Sequence, residues 1–139
     1  MSDSSLQARG NAVYQYPPDA TFTAVDFSAS RGLLLAADAN GNLSVNTSTT
    51  VPAAAICLDG NVATKPSAVG ILGGLPGPVW VKLSGTVKPF SRIQQANDGG
   101  VAADAGPGNA RVVVGSLGAQ GGGAGDIVPA ILTEGNILS

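Results

Sequence analysis

Glycine and proline fill 29 of the 139 positions (20 + 9), against about 12 % in ordinary proteins. The 44 % hydrophobic share includes 21 alanines, leaving 35 Ile, Leu, Val and Phe; charged residues are 12 % and sum to −2, and histidine is absent. This composition allows one modest domain with a thin core. It excludes a long helical bundle or coiled coil, and it is the wrong composition for disorder.

Residues 1–20 read as an extended N-terminal arm: polar, carrying both tyrosines, and ending in Pro17-Pro18, which favour an extended chain. MSDSSLQARG has no basic flank followed by an apolar run, so no secretory signal is expected. Tyr14 and Tyr16 suit either a partner contact or an arm that packs back on its own domain. Residues 21–139 then read as a single β-rich domain. Thr21–Phe27 alternates loosely, with Val25 and Phe27 on one face and Phe22 on the other. Gly32–Ala36 and Leu43–Val45 frame an Asn40-Gly41 turn and read as a hairpin.

Ala53–Leu58 suits a strand or a short helix. Val69–Leu72 is a short apolar segment closed by Gly73-Gly74. Val79–Leu83 is the clearest strand, with Val79, Val81 and Leu83 on one face and Trp80 and Lys82 on the other. Ser91–Ala96 has the best helical propensity and is expected to form one or two turns. Arg111–Val114 is a β-branched run, Gly118–Gly125 a flexible connection, and Ile127–Leu132 a closing strand. Pro129 cannot donate to a ladder, which places that strand at an edge or at its beginning. The expected fold is mainly β, about eight short strands with glycine-rich turns. So thin a core points to stability completed by neighbours.

Candidate chemistry is sparse. Without histidine there is no imidazole base, no Ser-His-Asp or Cys-His system and little basis for zinc. Asp38, Asp59, Asp98 and Asp104 stand beside Gly, Asn or Ala and read as turn residues that bond nearby N–H groups. Cys57 lies in an apolar run and reads as a buried free thiol, compatible with a reducing compartment. The glycine runs lack the Lys-Ser/Thr of a phosphate loop. The seven basic residues are scattered, which argues against nucleic acid, and no apolar run is long enough to cross a bilayer. Trp80 is a candidate oligomer or partner contact. A glycan platform could use only Trp80, Lys82 and Gln94-Gln95. No catalytic residue, metal site or cofactor is expected.

Ser67-Ala68-Val69-Gly70-Ile71-Leu72, followed by Val79-Trp80-Val81-Lys82-Leu83-Ser84-Gly85-Thr86-Val87, resembles the head decoration (cement) proteins of tailed bacteriophages, both the lambda-like family and the small capsid-stabilising family. The hairpin at 33–45 and the closing Val114–Leu117 and Gly125–Pro129 are similar to segments of these families. The resemblance covers about residues 21–132, and the Asp98–Gly108 connection departs from it. It implies a small, partly open β-barrel or β-tulip-like domain with at most one or two short helices. It also implies a non-enzymatic protein made in the host cytoplasm and carried on the outer capsid surface of the virion, commonly as a homotrimer. There it would clamp neighbouring copies of the major capsid protein. Arms of this family order on the shell, which makes Val13, Tyr14, Gln15, Tyr16, Pro17 and Pro18 the expected capsid contact. On this reading, deletion of residues 1–18 leaves the domain folded. The alternative is a β-rich adhesin or fibre-base module binding a glycan or receptor on a virion or cell surface.

Overall fold

The computed structural model describes residues 12–139, and within them the protein is mainly β, with ten strands and no helix. The strands are β1 (Val13–Tyr16), β2 (Leu34–Ala37), β3 (Leu43–Val45), β4 (Ala55–Cys57), β5 (Ser67–Ile71), β6 (Val79–Lys82), β7 (Arg92–Gln95), β8 (Val101–Ala103), β9 (Arg111–Leu117) and β10 (Ile127–Leu138). They form two antiparallel five-stranded sheets, ordered β1-β5-β4-β2-β3 and β6-β10-β9-β7-β8.

The β2–β3 hairpin forms as its sequence indicates, with Leu35 opposite Val45 and Ala37 opposite Leu43. Its loop is built by Asp38, whose carboxylate accepts from the Asn40 and Asn42 N–H groups at 2.8 and 2.9 Å, and by Gly41 at φ +82°. That conformation costs a residue without Cβ little. Ala53–Leu58 resolves as strand β4. Val81 and Leu83 are buried and Trp80 is exposed, as the alternation in β6 requires.

Both sheets curl until their outer strands approach each other. In the second sheet, Leu83 just beyond β6 pairs with Val101 of β8, and the Ser84 N–H donates to the Val101 carbonyl at 2.8 Å. In the first sheet, the Tyr16 hydroxyl of β1 lies 3.0 Å from the Leu43 nitrogen of β3, although these strands stand at opposite ends of the sheet order. The central strands β2 and β4 therefore bury both faces. Leu34 and Ile56 join the large core with Val81, Ile93, Val112, Val114 and Val128. Leu35, Ala55, Cys57 and Val69 line the inside of the curl with Tyr16, Phe27 and Leu43.

Four sequence expectations change. Thr21–Phe27 forms no strand; it is irregular chain that caps the curl, and Phe22 and Phe27 both pack on Tyr16 at ring-centroid distances of 6.3 and 6.1 Å. Ser91–Ala96 is not helical: Arg92–Gln95 pairs with β8 and β9, with Ile93 and Gln95 fully buried. Helix propensity is a weak preference, and here tertiary pairing overrides it. β10 is not an edge strand but lies between β6 and β9. Pro129 is tolerated because the β9 strand ends at Leu117. The neighbouring Gly118 carbonyl, which a residue with an N–H would have bonded, accepts from Phe90 at 2.9 Å instead.

The fourth change concerns the arm. Residues 1–11 of the expected arm lie outside the described residues. Val13–Tyr16 is extended, but it is a strand hydrogen-bonded to β5, with Tyr16 opposite Ser67. Tyr16 is only 4 % exposed, so it belongs to the body of the domain.

In the middle of β9 the ladder is irregular on both sides: pairing with β7 and with β10 shifts register around Val114. Next to it stands Gly115 at φ +148°, where an added Cβ would collide with the Ile131 carbonyl oxygen. Only glycine lets β10 approach β9 this closely.

Candidate binding surface

The curl of the first sheet leaves an apolar mouth of about 640 Å³ between β1 and the β2–β3 hairpin. Strand β1 and the following turn supply Val13, Tyr14, Gln15, Tyr16 and Pro18; the hairpin supplies Ala37, Gly41 and Leu43; Ala55, Val69 and Ile71 lie on the sheet between them, and Phe22 closes one side. Strand alternation puts these side chains together. Tyr14 pairs with Val69, Ile71 with Ala55, and Ala37 with Leu43, and cross-strand partners share a face. Tyr14 is 58 % exposed and Ile71 41 %, so the mouth presents apolar surface to water.

Tyr16 links the two sides of the mouth. Its hydroxyl donates to the Thr23 carbonyl at 2.9 Å and accepts from the Leu43 N–H at 3.0 Å. A buried phenol needs such partners, and here they tie the two ends of the curled sheet together.

Two carboxylates, Asp19 and Asp38, are next in sequence to lining residues Pro18 and Ala37. Asp19 is lowered below the ordinary carboxylate value because the Thr21 hydroxyl and N–H donate to it. Asp38 is lowered by the Asn42 and Asn40 N–H groups. Hydrogen bonds to the charged form favour it, so both are anions at neutral pH. Among the described residues, no lysine or arginine lines the mouth.

Of the residues singled out in the arm, five line this mouth, whereas Pro17 does not. Tyr16 acts from the buried side, as a core residue. The expectation missed Phe22, Ala37, Leu43, Ala55 and Ile71. In sequence these are unremarkable apolar residues, and only the curl collects them.

Trp80 stands elsewhere, on the outer face of the second sheet, 48 % exposed and paired with Pro129. Ile131, two residues on from Pro129, is exposed on the same face, and Phe90 is exposed in the turn before β7 at φ +62°. The amides that a sugar platform would need are occupied. Gln95 is fully buried, accepting from the Ala53 N–H and donating to the Ser48 and Val51 carbonyls. The Gln94 side-chain oxygen accepts from the Ala105 N–H at 2.8 Å.

Asp38, Asp98 and Asp104 do turn work, whereas Asp59 reaches across to β5. Asp59 accepts from the Ala68 N–H at 2.6 Å and Asp98 from the Gly100 N–H at 2.9 Å. Asp104 accepts from the Gly106 N–H at 3.1 Å and binds the buried Arg111 guanidinium. A smaller cleft of about 360 Å³ contains Ser84, Asp98 and Lys82. There the Ser84 hydroxyl donates to Asp98 at 2.5 Å and holds that carboxyl below its usual range. A carboxylate so stabilised is a weak proton acceptor for a serine nucleophile. Among the described residues no group of three or more Cys, Asp or Glu is placed to hold a metal ion. Cys57 is fully buried; burial and the Asp59 charge push its thiol up to about 11. Among the described residues, no helix is long and apolar enough to cross a membrane.

In comparison with protein-family models, curated proteins and solved structures, the chain matches none.

Proposed function

We propose that the chain is a non-enzymatic structural protein of a tailed-bacteriophage virion. In this reading it binds the outer surface of the capsid and stabilises the shell by clamping neighbouring major capsid proteins, as trimers at local three-fold positions. The observation that carries the proposal is the apolar mouth formed by Tyr14, Gln15 and Pro18 with Ile71 and the β2–β3 hairpin. Exposed apolar surface gathered in one concavity favours a protein partner. The sequence resemblance at residues 67–87 supplies the kind of partner. The adhesin alternative has less support, because the Gln95 amide and the Gln94 side-chain oxygen are committed within the fold.

The test uses shells assembled from the major capsid protein of the virus that carries this chain, without their decoration protein. Purified protein should co-sediment with these shells and give density on the outside at the three-fold positions in electron cryomicroscopy. Absence of binding, or density inside the shell, overturns the proposal.

A further inference from the structure

The mouth of the first sheet has a chemistry that selects its occupant. Its described lining is apolar and aromatic and holds no cation, and the carboxylates of Asp19 and Asp38 lie between lining residues in the chain, Pro18 and Phe22 for the one, Ala37 and Gly41 for the other. An acidic or purely polar segment would meet repulsion from these carboxylates and find no hydrogen-bonding floor. A purely apolar one would gain nothing from the two carboxylates, which are free to attract a cation. We infer that the mouth takes an extended peptide segment of a partner protein in which one or two apolar side chains are flanked by lysine or arginine. The apolar side chains seat over Ala55 and Val69 between Tyr14 and Phe22, and the flanking cations reach Asp19 and Asp38. This inference rests on the capsid reading for where the segment comes from, namely an exposed loop or arm of the major capsid protein. The chemistry of the site does not depend on that source.

Fluorescence anisotropy with the full chain tests it, using three labelled decapeptides: a Val-Leu-Val centre with Lys and Arg flanks, the same centre with Glu flanks, and a Gly-Ser-Gly centre with Lys and Arg flanks. The first should bind saturably, with the Glu-flanked peptide weaker by about tenfold, as two surface charge pairs changed from attraction to repulsion imply. The Gly-Ser-Gly peptide should bind no better than the Glu-flanked one. Ile71→Ser, at a half-exposed side chain, should weaken the first peptide about fivefold through lost apolar contact and leave the circular dichroism spectrum unchanged. Asp19→Asn with Asp38→Asn, which keeps an acceptor oxygen in each turn, should abolish the preference for cationic flanks. Equal affinity for cationic and acidic flanks, or no effect of Ile71→Ser, overturns the inference. Sedimentation of the chain alone covers the remaining occupant: concentration-dependent association removed by Ile71→Ser would make a second copy the occupant and overturn the peptide assignment. Peptide binding by protein that ignores capsid shells would sink the capsid reading and leave the site standing. Shell binding unaffected by Ile71→Ser, without peptide binding, would do the reverse.

Discussion

Replacing Gln95 with methionine keeps an unbranched side chain of similar volume and removes every hydrogen bond this residue makes through its side chain. Those bonds are 2.7 Å from the Ala53 N–H and 3.0 and 2.9 Å to the Ser48 and Val51 carbonyls. They fasten the segment from Asn46 to Ala53 onto strand β7. The two carbonyls belong to half-buried Ser48 and exposed Val51, so water can replace the amide there, at a loss of about 0.5–1.5 kcal/mol each at most. The Ala53 N–H is different, because Ala53 is buried and an orphaned buried donor costs about 1–3 kcal/mol. Gln95→Met should therefore destabilise the fold by about 2–4 kcal/mol, lowering Tm by about 6–15 °C in a chain of this size. Gln94→Met is the matched control. Its single bond, to the exposed Ala105 N–H, should be worth under about 1 kcal/mol. Urea denaturation followed by far-ultraviolet circular dichroism measures both. If Gln95→Met falls within 1 kcal/mol of the wild type, or is no worse than Gln94→Met, Gln95 is not the fastening described here (threshold about the error of such extrapolations).

Tyr16→Phe should cost about 1–3 kcal/mol through the unpaired Leu43 N–H, and Tyr16→Ala about 3–5 kcal/mol through the emptied ring site, read by the same denaturation. Deletion of residues 1–18 removes this side chain too, so the truncated protein should melt lower rather than remain unaffected. Asp104→Asn leaves the buried Arg111 guanidinium short of its carboxylate and should cost about 2 kcal/mol at neutral pH. Asp19, Asp26, Asp38, Asp98 and Asp104 all have folded values below the ordinary range. Their contribution is therefore complete above an unfolded value of about 3.9 and lost as pH falls through the folded values. Thermal melts should drop steeply below about pH 4, and Asp104→Asn should make that decline shallower. Cys57 should resist Ellman's reagent in the native state and react only as the protein unfolds in denaturant; rapid native labelling would contradict its burial.

The strands that could be read locally are those whose partners lie on one inward side. Val79–Leu83 alternates cleanly because Val79, Val81 and Leu83 face the core and Trp80 does not, and the 33–45 hairpin carries its own turn chemistry in Asp38, Asn40 and Gly41. Arg92–Gln95 misleads because the burial of Gln95 is made affordable by a loop more than forty residues away, which no local window contains. Pro129 misleads for a similar reason. Its place inside a sheet depends on β9 stopping one residue short and on Phe90 supplying the missing donor. The mouth was half legible: two tyrosines in a polar arm mark it, but its other wall comes from the hairpin, and only the curl of the sheet brings the walls together. That curl resides in long-range pairing and in the contact of Tyr16 with Leu43.

The Tyr16–Leu43 contact also bears on how the protein behaves when crowded. Leu43 sits on an outer strand, and its N–H points away from β2. A donor of that kind, left open, invites a foreign strand to pair, and sheet proteins guard such edges to avoid aggregation. Here the guard is a phenol from the opposite end of the same sheet. Losing it should expose β3 as a template, so Tyr16→Phe protein at high concentration should form β-rich aggregates sooner than its loss of stability alone accounts for.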